Sequence, residues 1–196
     1  MGDKIKTALE IALEKAAMLE DLSSEEKAEI ANKKKLEPFM VKFYRGGLKP
    51  EDLWSRLKNE DVSLLKMAEI NLIDSLKFNL AADELERRAK AVIAVESLKK
   101  EPKTSAIQQG LGTLAQLQKR AESEKNQVYS QFKGAIEKNP QARTRVIDQG
   151  GSKMVVKLSV EEAIAQNPQW KQFSMELDQK YIQEFENILI QVKKYI

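Results

Sequence analysis

From one end of this chain to the other, apolar residues recur at steps of three and four, the spacing that lines one face of an α-helix. One stretch departs from that rhythm. Between Arg143 and Leu158 the period drops to two: Arg143, Arg145 and Ile147 alternate with Thr144, Val146 and Asp148, and Met154, Val156 and Leu158 alternate with Lys153, Val155 and Lys157. Gln149, Gly150 and Gly151 supply a turn between the two runs, which together read as a β-hairpin. The expectation is a mainly α fold: an elongated antiparallel helical bundle with one hairpin, at about residues 143–158, before a long C-terminal helix. The 196 residues are expected to form a single helical domain, with a possible sub-boundary near 139–142.

Individual helices are marked by start and stop signals. Ile5, Leu9, Ala12, Ala16 and Leu19 form the seam of a first helix. Ser23 and Glu26 have the spacing of a capping box, which starts a second helix running through Lys33, Lys34 and Lys35. Pro38 is expected to end it and open a short helix carrying Phe39, Met40, Phe43 and Tyr44, stopped by Gly46 and Gly47. Pro50, Glu51 and Asp52 begin another, with Leu53, Trp54 and Leu57 on its apolar face.

After a break near Asn59–Asp61, the most apolar stretch, Val62–Leu85, is expected to continue as helix to Lys99, with a bend near Asp83. Thr104 or Ser105 is expected to cap the next helix. That helix carries Ile107, Leu111, Leu114, Ala121, Val128, Phe132 and Ala135 in a near-heptad register with polar Gln118 and Lys125 at its centre. Gly110 and Gly112 lower its local propensity. Beyond the hairpin, Ser159 and Glu162 form a second capping box. Asn167 and Pro168 open a last helix with Trp170, Phe173, Leu177, Tyr181, Phe185, Ile188, Val192 and Tyr195 along one face. The expected core is Leu65, Leu72, Ile73, Leu76, Leu80, Val92, Leu111, Leu114, Val128, Phe132, Trp170, Phe173, Tyr181, Phe185 and Ile188.

The chain contains neither histidine nor cysteine. Those side chains supply most acid/base catalysis at neutral pH, thiol nucleophiles and tight transition-metal ligation. Ser-His-Asp and Cys-His triads are thereby excluded, as is the Glu-x-x-His motif of ferritin-like di-iron bundles. The glycine pairs lack the lysine-serine or lysine-threonine ending of a phosphate loop, and Gly110-Leu111-Gly112 has neither a third glycine at fingerprint spacing nor a preceding strand. No acidic loop has EF-hand spacing. The expectation is therefore a protein with no catalytic group set, no cofactor and no metal. No window approaches the apolar length of a membrane span, and the first residues lack the uncharged core of a secretory signal, so a cytoplasmic location is expected.

Asp3-Lys4-Ile5-Lys6-Thr7-Ala8-Leu9-Glu10-Ile11-Ala12-Leu13-Glu14-Lys15-Ala16 resembles the start of a group of uncharacterised bacterial helical proteins. The resemblance brings no activity with it.

Two features invite a functional reading. Glu69 falls between Leu65, Leu72, Ile73 and Leu76, inside the apolar stripe of its helix, so it is a candidate buried carboxylate. It is expected to pair with a lysine or arginine of a neighbouring helix, with an acid or proton-switch role as the alternative. Arg143, Arg145, Lys153 and Lys157 on the hairpin are candidate polyanion contacts, with Gln149 and Ser152 at the tip. The alternative is a solvated face whose charges protect an edge strand. Basic residues also gather at Lys33–Lys35 with Lys42 and Arg45, and at Arg87, Arg88 and Lys90, while Phe39, Phe43, Tyr44 and Trp54 form an aromatic group. With 33 basic against 30 acidic residues the net charge is only +3, too small a field to demand a polyanion. Many helix-pairing faces without a catalytic set favour an interaction or scaffold protein, a homo-oligomer or the partner of another protein. Nucleic-acid binding through the hairpin is the alternative, and no membrane role is expected.

Overall fold

The computed structural model describes residues 23–149 and 152–196, with side chains described at all of them except 147–149 and 152–154. The helix expected over Ile5–Leu19 and the glycine pair at the hairpin tip lie outside the described residues.

Among the described residues, seven α-helices and one hairpin follow in order: α1 (Ser24–Tyr44), α2 (Pro50–Leu57), α3 (Val62–Asp74), α4 (Ala82–Glu96), α5 (Thr104–Lys138), a 3₁₀ turn (Pro140–Arg143), β1 (Thr144–Gln149), β2 (Ser152–Lys157), α6 (Val160–Gln166) and α7 (Pro168–Lys193). The fold is mainly α, and its hairpin stands before the long C-terminal helix, as the change of period indicates. The chain divides into two compact units. The first ends at Leu72 and resumes over Lys90–Pro102; the second takes Ile73–Ala89 and Lys103–Ile196.

The caps act where the sequence places them. Ser23 Oγ accepts from the Glu26 N–H at 3.2 Å while Glu26 accepts from the Ser23 N–H at 2.8 Å. Ser159 and Glu162 repeat the arrangement at α6, and the Asn167 side chain accepts from the N–H groups of Gln169 and Trp170 at the start of α7. Gly46, at φ +78°, takes the left-handed turn that follows α1.

Four local expectations are corrected. Pro38 does not divide its helix: α1 runs through it. Leu36, Met40 and Phe43 are buried on one face spanning the proline, and that packing outweighs the missing N–H donor. The helix after Val62 does not continue to Lys99. It stops at Asp74, and residues 75–81 turn before α4 begins. Arg88 Nη1 donates to the Ser75 carbonyl at 2.7 Å, and Gln118 Nε2 donates to the carbonyls of Phe78 at 2.5 Å and Leu80 at 3.0 Å, so donors from other elements replace the intrahelical bonds. Neither Thr104 nor Ser105 caps α5; the cap position is Lys103, at φ −98°, ψ 35°, outside the extended geometry that side-chain caps use. Arg143 belongs to the 3₁₀ turn, and β1 begins one residue later.

In the second unit, α5 and α7 pack antiparallel. Gly110 faces Val192, Arg120 pairs with Glu184, Lys125 with Asp178, and Tyr129 meets Trp170 edge to face at 5.4 Å. Burial on α5 is dense from Ile107 to Ala121 and thins beyond it, resuming at Ile136. Val128, Phe132, Trp170, Phe173, Ile188 and Leu80 are accordingly half-buried instead of central, whereas the other nine expected core residues are buried. Ile136, Ala163 and Ile164 form a small core with Tyr129, Phe132, Leu158, Val160 and Trp170 packed on it. Leu158 also donates its N–H to the Arg143 carbonyl at 2.8 Å, which ties the base of the hairpin to this core.

Candidate functional site

Glu69 is the point at which the first unit breaks the rule that charges stay wet. Its place in the apolar stripe of α3 leaves it 0% exposed, beside Ala68, Leu65 and Leu72, which are also buried. Two groups act on it, Glu96 at the end of α4 and Lys99 in the segment that follows. Lys99 Nζ lies 2.5 Å from Glu69 Oε2 and 2.6 Å from Glu96 Oε2, so one ammonium holds both carboxyl groups. Glu96 is 1% exposed and the Lys99 side chain 10%. Apart from the ion pair, neither oxygen of Glu69 has a hydrogen-bond donor among the described residues.

Desolvation, followed by the neighbouring Glu96 carboxyl, pushes Glu69 up to about 8 against the attraction of Lys99. Burial works against the charge of Lys99, yet its contacts with Glu69 and Glu96 prevail and hold it above the usual lysine value. The basic partner expected for Glu69 is thus Lys99, from the segment following α4. The second carboxylate was not expected. Its signal lies in the sequence all the same, because Val92, Val95, Glu96 and Lys99 continue one helical stripe at steps of three and four. Among the described residues no group of three or more acidic side chains could hold a metal ion.

The hairpin pairs Thr144 with Lys157, Arg145 with Val156, Val146 with Val155, Ile147 with Met154 and Asp148 with Lys153. Neighbouring residues on a strand alternate faces. Arg145 and Lys157, both exposed, therefore leave from opposite faces. Arg143 is half-buried in the 3₁₀ turn, its Nε without a hydrogen-bond partner among the described residues. Lys153 sits opposite Asp148, and its side chain lies outside the described residues, as do those of Gln149 and Ser152 at the tip. The four basic candidates are not brought onto one face. The face shared by Thr144 and Lys157 carries Val146 and Val155 instead, directly paired and 62% and 69% exposed.

Other candidates resolve into local structure. Arg87 and Arg88 both bind Glu84, at 2.8 and 2.6 Å, which holds the Glu84 carboxyl below its usual range through the Arg87 contact first. Lys35 pairs with Glu60. Phe43 is fully buried, while Arg56 lies over the Phe39 ring and Lys58 over the Trp54 ring. The polar centre of the α5 seam is likewise occupied: Gln118 holds the 75–81 turn and Lys125 pairs with Asp178. One turn away the Tyr181 hydroxyl donates to Glu124 at 2.7 Å and accepts from Arg120 Nε at 3.2 Å, and the Tyr181 ring stacks on Phe78. On the outward side of α7, Met175, Ile182 and Ile190 are exposed. No described helix is long and apolar enough to cross a membrane.

Among known proteins, the model of a family of unknown function, DUF6657, matches residues 51–194, well over half of the sequence, and the chain belongs to that family. No curated protein and no solved structure matches it.

Proposed function

We propose that this member of the family is a non-enzymatic interaction protein of the cytoplasm that associates with copies of itself, and that the hairpin is the contact. The observation that carries the reading is the Val146–Val155 pair, two β-branched side chains directly opposite one another and largely in solvent on a two-stranded sheet. A lone hairpin is marginal in water, and an open strand edge is a template for another strand. Of the two edges, β1 suits a second copy better. An antiparallel copy of β2 centred on Val155 would set Lys153 opposite Lys157, a like-charge pair, whereas a copy of β1 centred on Val146 sets Arg145 opposite Ile147 and Thr144 opposite Asp148. The exposed Met175, Ile182 and Ile190 of α7 supply a second apolar face for assembly.

Light scattering across a dilution series tests this directly. The expected result is an oligomer that dissociates on dilution, with Val146→Lys shifted to monomer and Arg145→Gln unchanged. A wild-type monomer at every concentration overturns the proposal. Salt-sensitive binding of duplex DNA or RNA that is lost in Arg145→Gln would favour the nucleic-acid alternative. That reading has less support here, because Arg145 and Lys157 face opposite ways.

A further inference from the structure

We propose that the outward face of α1 is a docking surface for residues 3–21 of the same chain, which lie outside the described residues, and that the two meet as antiparallel helices, basic stripe against acidic stripe. Leu36, Met40 and Phe43 form the buried face of α1. On the opposite side Lys27, Ala31, Lys34, Pro38 and Val41, with Arg45 at the C-cap, recur at steps of four and three and are all exposed. The acids of the helix, Glu25, Glu26, Glu29 and Glu37, fall on other sides of it. The outward face is thus a basic line about 27 Å long, interrupted by small or apolar residues.

A complementary line stands in the sequence before it. On the helix expected around Ile5–Leu19, Asp3, Thr7, Glu10, Glu14, Ala17 and Asp21 recur at the same steps, on the side away from the apolar seam. Both lines cover eighteen residue steps, 3 to 21 and 27 to 45, in mirror order. Laid antiparallel, they set Asp3 opposite Arg45, Glu14 opposite Lys34, Asp21 opposite Lys27 and Ala17 opposite Ala31. The reversal falls in the right place: the Ser23–Glu26 capping box fixes the start of α1, which leaves Leu22 and Ser23 as a connection of the length that joins antiparallel helices. Exposed ion pairs are individually weak, but a segment joined to its site by so short a link meets it at high effective concentration. The outward face of α1 gives the Ile5–Leu19 seam only Ala31, Pro38 and Val41 to pack on, so the seam takes the far side, where a further copy of the chain can cover it. The docking does not depend on that second contact.

Because the chain has no cysteine, an introduced pair reports on one approach alone. In the dilute full-length chain, with copper phenanthroline as oxidant, Ala17→Cys/Ala31→Cys should close an intramolecular disulfide, seen as a faster band on a non-reducing gel. Ala16→Cys/Ala31→Cys, whose first position lies on the seam, should stay reduced. Adding Glu14→Lys to the first pair should slow closure, and adding Lys34→Glu as well should restore it. A 17–31 pair that stays reduced, that bridges only between chains, or that closes no faster than the 16–31 pair overturns the proposal. So does a charge swap that fails to restore closure.

Discussion

Adding one methyl group at Gly110 should destabilise the protein, and adding one at Gly112, two residues away on the same helix, should stabilise it. A Cβ at Gly110 would stand 2.4 Å from Val192 Cγ2, more than an ångström inside the ordinary contact distance of ~3.5–4.0 Å. Val192 is 2% exposed, so it has no solvent to retreat into, and α7 itself must shift. Overpacking of this kind costs about 1–3 kcal/mol, against a gain of about 1 kcal/mol in helix propensity on replacing glycine by alanine. Gly110→Ala should thus lose up to about 2 kcal/mol. At Gly112 nothing lies within 4 Å, and Gly112→Ala should keep the full gain of about 1 kcal/mol. The assay is urea unfolding followed by Trp170 fluorescence in a Trp54→Phe background, which leaves one tryptophan, placed in the second unit. Val192→Ala removes the obstructing methyl, so a double-mutant cycle should give a favourable coupling of about 1 kcal/mol or more between Gly110→Ala and Val192→Ala. If both alanine variants move the midpoint in the same direction, or the cycle shows no coupling, close approach of α7 is not the reason for glycine at position 110.

Two other substitutions test buried polar groups by the same unfolding assay. Gln118→Leu leaves the carbonyls of Phe78 and Leu80 without their donor and should cost about 1–3 kcal/mol, seen in Trp170 fluorescence. Lys99→Met removes the ammonium that Glu69 and Glu96 share and should cost about 3–5 kcal/mol, read from the urea midpoint followed by circular dichroism.

What the sequence revealed, and what it hid, follows the distance over which each feature is determined. Side-chain caps and the hairpin are set by residues within a few positions, and Ser23, Ser159, Asn167 and the alternation at 144–157 read correctly. Glu69 also stood out, because a lone carboxylate in an apolar stripe is a local contradiction. The turn at 75–81 was invisible for the opposite reason. Ile73, Leu76 and Leu80 keep helical spacing across it, and the donors that make the turn viable come from Arg88 and from Gln118, some forty residues away. Gly110 showed as a weak point of α5, but its partner Val192 lies at the other end of the sequence. Pro38 misled because a local preference was read without the buried face of Leu36, Met40 and Phe43 that overrides it.

The same contrast explains why the centre of the α5–α7 seam is polar. A stripe of aliphatic residues on each helix would leave several registers of similar energy, since one leucine substitutes for another at each one-turn slip. Here three features break that degeneracy in succession along the pair. The Gly110 notch admits Val192, Arg120 reaches Glu184 together with the Tyr181 hydroxyl, and Lys125 reaches Asp178. Each is satisfied in one register and strained or unpaired in the next, in the way that a single polar residue fixes the alignment of a coiled coil. The ion pairs, being 38–58% exposed on their basic side chains, add little stability. What they add is a penalty against sliding, which matters most in a protein whose neighbouring hairpin and outer α7 face would otherwise offer apolar surface to a slipped helix.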